Sequence, residues 1–96
     1  MSIDSMITRL ERIADAVPSA RSEAELRSLG SQATGTALAI KEELERYGIS
    51  TDSQAMRRAL EDLDNYYGND MSELRRRVHI GLQQIAGYYR ALAPNL

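Results

Sequence analysis

Hydrophobic positions recur along most of this chain at alternating steps of three and four, the spacing that gathers side chains on one face of an α-helix. Ile3, Met6, Leu10, Ile13 and Val17 make the first stripe, with Thr8, Arg9, Arg12 and Asp15 on the opposite side. The pattern predicts an amphipathic helix that begins near Ser2 and is stopped by Pro18. Proline lacks a backbone donor and restricts the residue before it.

Ser22 to Glu25 reads as a capping box, in which a serine oxygen accepts from the third amide and the glutamate reaches back to the first. It opens a longer stripe of Leu26, Leu29, Ala33, Ala37, Ile40, Leu44 and Tyr47. The middle of that stripe, Gly30 to Ala37, is weak, because each glycine costs about 1 kcal/mol relative to alanine inside a helix. Either the chain breaks near Gly30 or small residues there admit a neighbouring helix, and the pattern favours one helix, bent at this point. Its end is expected at Tyr47-Gly48-Ile49, with glycine in the left-handed position and isoleucine packing back.

A second capping box, Thr51 to Gln54, opens a third predicted helix with Met56, Leu60, Leu63 and Tyr67 on its stripe and Gly68 at its end. Asp70 and Glu73 then place two acids where a helix N-terminus favours negative charge. The last stripe is Met71, Leu74, Val78, Leu82, Ile85, Tyr89 and Leu92, closed by Pro94. Four helices of roughly 15, 25, 16 and 22 residues follow from these periods. Short connections make sequential helices antiparallel, so the expected fold is all-α: a small antiparallel four-helix bundle in a single domain, 1–96. No stretch reads as a strand.

Composition narrows the classes of function. The chain has 96 residues, 43% of them hydrophobic, and no cysteine, so neither a disulfide framework nor a thiolate metal site is possible. The N-terminal segment has no apolar run long enough for a signal peptide, and nothing later approaches the roughly 18 apolar residues of a membrane helix. A soluble, cytoplasmic protein without a membrane partner is the expectation. The net charge of −2 disfavours nucleic acid as the main partner, because phosphate neutralisation drives that binding. The charge is uneven: residues 1–70 carry eight basic and thirteen acidic side chains, and residues 71–96 four arginines and one glutamate.

Candidate chemistry is sparse. His79 is the only histidine and sits on the flank of the last helix beside Arg75 and Arg76, which reads as a plain surface histidine. No Glu-x-x-His pair of a carboxylate-bridged metal site occurs. Glu42, Glu43 and Glu45, like Glu61, Asp62 and Asp64, fall mostly on solvent faces. Ser31 to Gly35 lacks the lysine and the preceding strand of a phosphate loop. The expectation is a chain with no catalytic centre, no cofactor and no metal.

Two residues break the amphipathic rule. Ile80 points almost opposite the Val78–Ile85 stripe, among Arg76, Arg77, Gln84 and Gly87, and Leu38 is misplaced in the same way beside Thr34, Gly35, Lys41 and Glu42. All five aromatics are tyrosines, and tyrosine and arginine are enriched among the energetic anchors of interfaces. Tyr67 and Tyr89 read as core-edge residues, whereas Tyr66 and Tyr88 read equally well as core or rim. The leading expectation is a non-enzymatic protein–protein interaction module of the adaptor, inhibitor, chaperone or immunity type. It would bind another protein through Arg76, Arg77, Ile80, Gln84 and Tyr88, with Leu38 as an outlying contact. One alternative is a self-associating homo-oligomer using the seam of the first helix or the Gly30–Ala37 patch. The other is a small nucleic-acid-binding regulator using Arg75–Arg77.

Overall fold

The first apolar stripe forms a helix for the reason its sequence suggests and is wider than the sequence suggests. In a computed structural model, which describes residues 2–51 and 70–93, α1 spans Ile3–Ala16. Ser2 caps it, its hydroxyl oxygen accepting the Ser5 amide at 3.1 Å. Ile7 and Ala14 are buried along with the expected seam, because α1 packs against two other helices and needs apolar side chains toward both. Pro18 ends α1 as expected, inside a 3-10 turn, Val17–Ser19, that keeps Val17 in the core.

Helix α2 runs unbroken from Glu23 to Arg46, through both glycines. Its capping box is a variant of the expected one. The Ser22 hydroxyl accepts from the Glu25 amide at 3.1 Å, while the Glu25 carboxylate accepts from the amide of Arg21, one residue before the cap. The weak middle is used for packing: Ala33, Thr36 and Ala37 are buried, and the Thr34 and Thr36 hydroxyls donate back to the carbonyls of Gly30 and Gln32. Gly48 takes φ 76°, its amide donating to Glu45 and the Ile49 amide to Leu44, which closes α2 in a Schellman motif. Ile49 packs back on the core, as the sequence predicts. Tyr47 departs from the expected stripe. As the cap residue it swings out of the helical register and is 60% exposed.

Helix α3 spans Met71–Leu92. One oxygen of the Asp70 carboxylate accepts the amides of Ser72 and Glu73, which satisfies two donors that the first turn leaves open. Its buried stripe of Leu74, Val78, Leu82, Ile85 and Tyr89 is the expected one, with Ala86 added where α3 turns toward α1. Arg90 near the end of α3 pairs with Asp4 and Glu11 of α1, whereas Arg75 near its start reaches Ala20, so α1 and α3 run antiparallel.

The described residues are therefore helical, with no strand among them, and three α-helices share one apolar core. The predicted third helix and its capping box at 52–54, the tyrosine pair Tyr66-Tyr67, and Pro94 lie outside the described residues. No helix among the described residues is long and apolar enough to cross a membrane.

Candidate functional site

The three consecutive arginines at the start of α3 do three different things. Successive residues turn by about 100° around a helix, so Arg75 faces the flank toward α1 while Arg76 and Arg77 face outward. Arg75 is half-buried, and its Nε donates to the Ala20 carbonyl at 2.9 Å. This group ties α3 to the end of the 3-10 turn and is not part of a free basic surface. Arg76 donates to both oxygens of Glu73, at 3.0 and 2.6 Å, and Arg77 donates to one of them at 3.0 Å. These hydrogen bonds hold the Glu73 carboxyl down at about 2, below the usual carboxylate range. One carboxylate thus holds two guanidinium groups.

His79 is not the plain surface histidine expected from its neighbours in sequence. It is half-buried, with Nδ1 2.9 Å from the carbonyl of Ala14 in the last turn of α1. Arg75 and His79, one turn apart, thus reach the carbonyls of Ala14 and Ala20 and pin α3 across the end of α1. The sequence carries no local signal for either contact, since both acceptors are backbone oxygens more than fifty residues away.

Ile80 stands where the helical angle put it, exposed at 40% between Arg76 and Gln84, which are also exposed. Tyr88 is half-buried and packs on the core with its ring tilted 55° against Tyr89, centroids 5.9 Å apart. It borders the outward strip without forming part of its centre. Leu38 is 47% exposed but belongs elsewhere. Tyr89 hydrogen-bonds to Ala37 of α2, and Ile80, nine residues before it, points half a helical revolution away. The exposed face of α3 thus looks away from α2, and Leu38 makes a separate apolar spot.

A shallow groove flanks the Ile80 strip on the α1 side. Glu11, Ala14 and Asp15 of α1 and Gln83, Ala86 and Gly87 of α3 enclose about 270 Å³. Its floor is made of small side chains and its α1 wall of two carboxylates. Glu11 is paired with Arg90, and Asp15 has no ionic partner among the described residues. No cluster of three or more metal-ligating side chains occurs among the described residues.

Both seams that the sequence offered for self-association are occupied inside the fold. The α1 stripe is buried along its length, as are Gly30, Ala33, Thr36 and Ala37. Compared with protein-family models, curated proteins and solved structures, the chain finds no match in any of the three.

Proposed function

We propose that this chain is a non-enzymatic protein–protein interaction module that docks its partner on the outward face of α3. Arg76, Arg77, Ile80 and Gln84 form that face, and Tyr88 forms its edge. The observation that carries the reading is Ile80. A large apolar side chain stands 40% exposed at the centre of an otherwise polar strip, on a helix whose opposite face is buried in the core. Isolated exposed apolar residues are common. This one is flanked by an arginine held in place by Glu73 and by a groove, the arrangement of an apolar anchor within a polar rim.

The same proposal takes the fold to be a single-domain, antiparallel four-helix bundle, with the helix expected after the Thr51 to Gln54 capping box as its remaining member, and the location to be cytoplasmic. A small nucleic-acid-binding regulator is the weaker reading. Arg75 is turned inward to Ala20, and Glu73 offsets part of the charge on the other two arginines.

The test is capture of partners from a lysate by the wild-type chain, Ile80→Asp and Leu38→Asp, with circular dichroism to show that each variant keeps its helicity. Loss of the captured proteins with Ile80→Asp and retention with Leu38→Asp is the expected result. Identical captures by all three chains would remove the α3 face from consideration.

A further inference from the structure

We propose that the outward face of α1 is a phosphate-binding site, built by Arg9 and Arg12 with the hydroxyls of Ser5 and Thr8, and that its ligand is a phosphate monoester. The site is separate from the α3 face, and neither reading depends on the other.

The starting observation is a contrast among the cations. Along the described helices, Arg27, Lys41, Arg46, Arg76 and Arg90 each contact a carboxylate. Arg9 and Arg12 are both exposed, and neither has an ion pair or a side-chain hydrogen bond among the described residues. The sequence supplies the reason. The positions three and four residues to either side of Arg9 are Ser5, Met6, Arg12 and Ile13. Those around Arg12 include one acid, Asp15, on its C-terminal side, which is the less favourable order for an ion pair. Two guanidinium groups one turn apart with no acid between them repel each other, and a bound anion removes that repulsion.

The helix gathers further donors at the same place. Long helical side chains lean back toward the N-terminus, so Arg12 lies over Thr8 and Arg9 over Ser5. These four residues and Asp4 line a surface hollow of about 400 Å³. The Thr34 and Thr36 hydroxyls donate back into their own helix at 3.0 and 2.8 Å. Thr8 is half-buried and makes no such bond among the described residues, so its proton is left for a ligand. The Ser5 oxygen accepts from Ser2 at 2.9 Å, and its own proton is likewise left to donate. Asp4, the one carboxylate on the rim, is engaged by Arg90 of α3.

Charge and donor count select the ligand. Arg9 and Arg12 bring two positive charges and two planar forks, each shaped to meet a pair of oxygens. A carboxylate has one charge and two oxygens, and leaves one guanidinium unmatched. A phosphate monoester carries about −1.5 to −2 and three acceptor oxygens, enough to engage both forks and the two hydroxyls. A soluble phosphorylated molecule and the headgroup of a monoester phospholipid share this chemistry, so the test has an arm for each.

The first arm is an NMR titration of the full chain with methyl phosphate at fixed ionic strength, read at the arginine Nε–H signals, with chloride as the screening control. Arg9 and Arg12 are expected to respond together and saturate with a Kd of about 1–10 mM, the level two exposed charge-assisted contacts support. Binding is expected to weaken as pH falls from about 7.5 to about 5, where the monoester loses its second charge. Arg9→Gln and Arg12→Gln are each expected to weaken it about tenfold with helicity intact, and Arg21→Gln is expected to leave it unchanged. The second arm is co-sedimentation with phosphatidylcholine vesicles, with and without phosphatidic acid. Capture that needs both phosphatidic acid and the two arginines assigns the phosphate to a lipid headgroup, whereas methyl phosphate binding without capture assigns it to a soluble ligand. A response that does not saturate, that is equally large at Arg21 and Arg46, or that survives in the Arg9→Gln/Arg12→Gln chain overturns the proposal.

Discussion

The hydroxyl of Tyr89 donates a 2.9 Å hydrogen bond to the carbonyl of Ala37, joining α3 to the small-residue middle of α2 across 52 residues of sequence. The carbonyl already serves the α2 ladder, and its second lone pair takes the phenol. Tyr89 has no exposed surface, so the ring supplies packing while the hydroxyl makes this one polar bond. Tyr89→Phe keeps the ring and removes the bond. It is expected to cost about 0.5–1.5 kcal/mol, the usual net value of such a bond, read as a lower denaturant midpoint with an unchanged slope. Equal midpoints for the two chains would mean that the hydroxyl adds nothing to stability.

The same burial makes the protein sensitive to alkali. Removal from water, with Tyr88 and Glu45 nearby, pushes the Tyr89 phenol up to about 12 from its ordinary 10. Between these values the unfolded chain loses the proton before the folded one does. Stability is therefore unaffected by this group below pH 10, falls as pH rises toward 12, and is flat beyond. Tyr89→Phe is expected to remove that part of the alkaline loss. A phenolate absorbance titration is expected to show at least one tyrosine ionising near pH 12.

Gly35 sits exposed in the interior of α2, and a Cβ built on it meets nothing within 4 Å among the described residues. Gly35→Ala is expected to stabilise the fold by up to about 1 kcal/mol, since glycine loses more backbone freedom on folding than alanine. For a domain of this size that raises Tm by about 4–8 °C. A lower Tm would show that something approaches Gly35 closely.

Much of this was legible in the sequence because helix period and helix ends are local. The caps at Ser2, Ser22 and Asp70, the left-handed Gly48 and the exposure of Ile80 and Leu38 all follow from residues within one or two turns. What was not legible depends on a neighbour in space. A seam of steps of three and four finds the axis of the α1 apolar face but not its width, so Ile7 and Ala14 fall outside it. Arg75 and Arg76 look alike in sequence, and only the position of the Ala20 carbonyl separates an inward staple from an outward charge. The sequence around His79 holds no carboxylate and gives no hint of its partner, a backbone oxygen at the end of α1. The groove beside Gly87 is shaped by two helices and has no signature in either.

The division of labour among the three arginines gives a prediction within a single turn. Arg75→Ala removes a half-buried, charged donor from the Ala20 carbonyl and strips aliphatic packing from the α1–α3 seam. It is expected to cost about 1.5–3 kcal/mol, the range for hydrogen bonds to charged groups. Arg76→Ala removes an exposed, solvent-screened pair and is expected to leave the denaturation midpoint close to that of the wild type. Chemical denaturation of the two variants side by side decides the matter. Equal losses would mean that the Arg75 contact is no more structural than its neighbour's.

Glu73 sets the acid side of the same region. Its carboxyl is lowered from 4.5 to about 2 by the hydrogen bonds from Arg76 and Arg77. For an acid whose folded value is depressed, the stabilisation is complete above the unfolded value and is lost as pH falls toward the folded one. The contribution of Glu73 is therefore present above about pH 4.5 and disappears between there and pH 2. A carboxyl carbon titration by NMR is expected to place Glu73 at the low end of that window. Glu73→Gln is expected to flatten the stability curve across it, because an amide does not titrate. An acid limb equally steep in both chains would show that Glu73 contributes nothing to it.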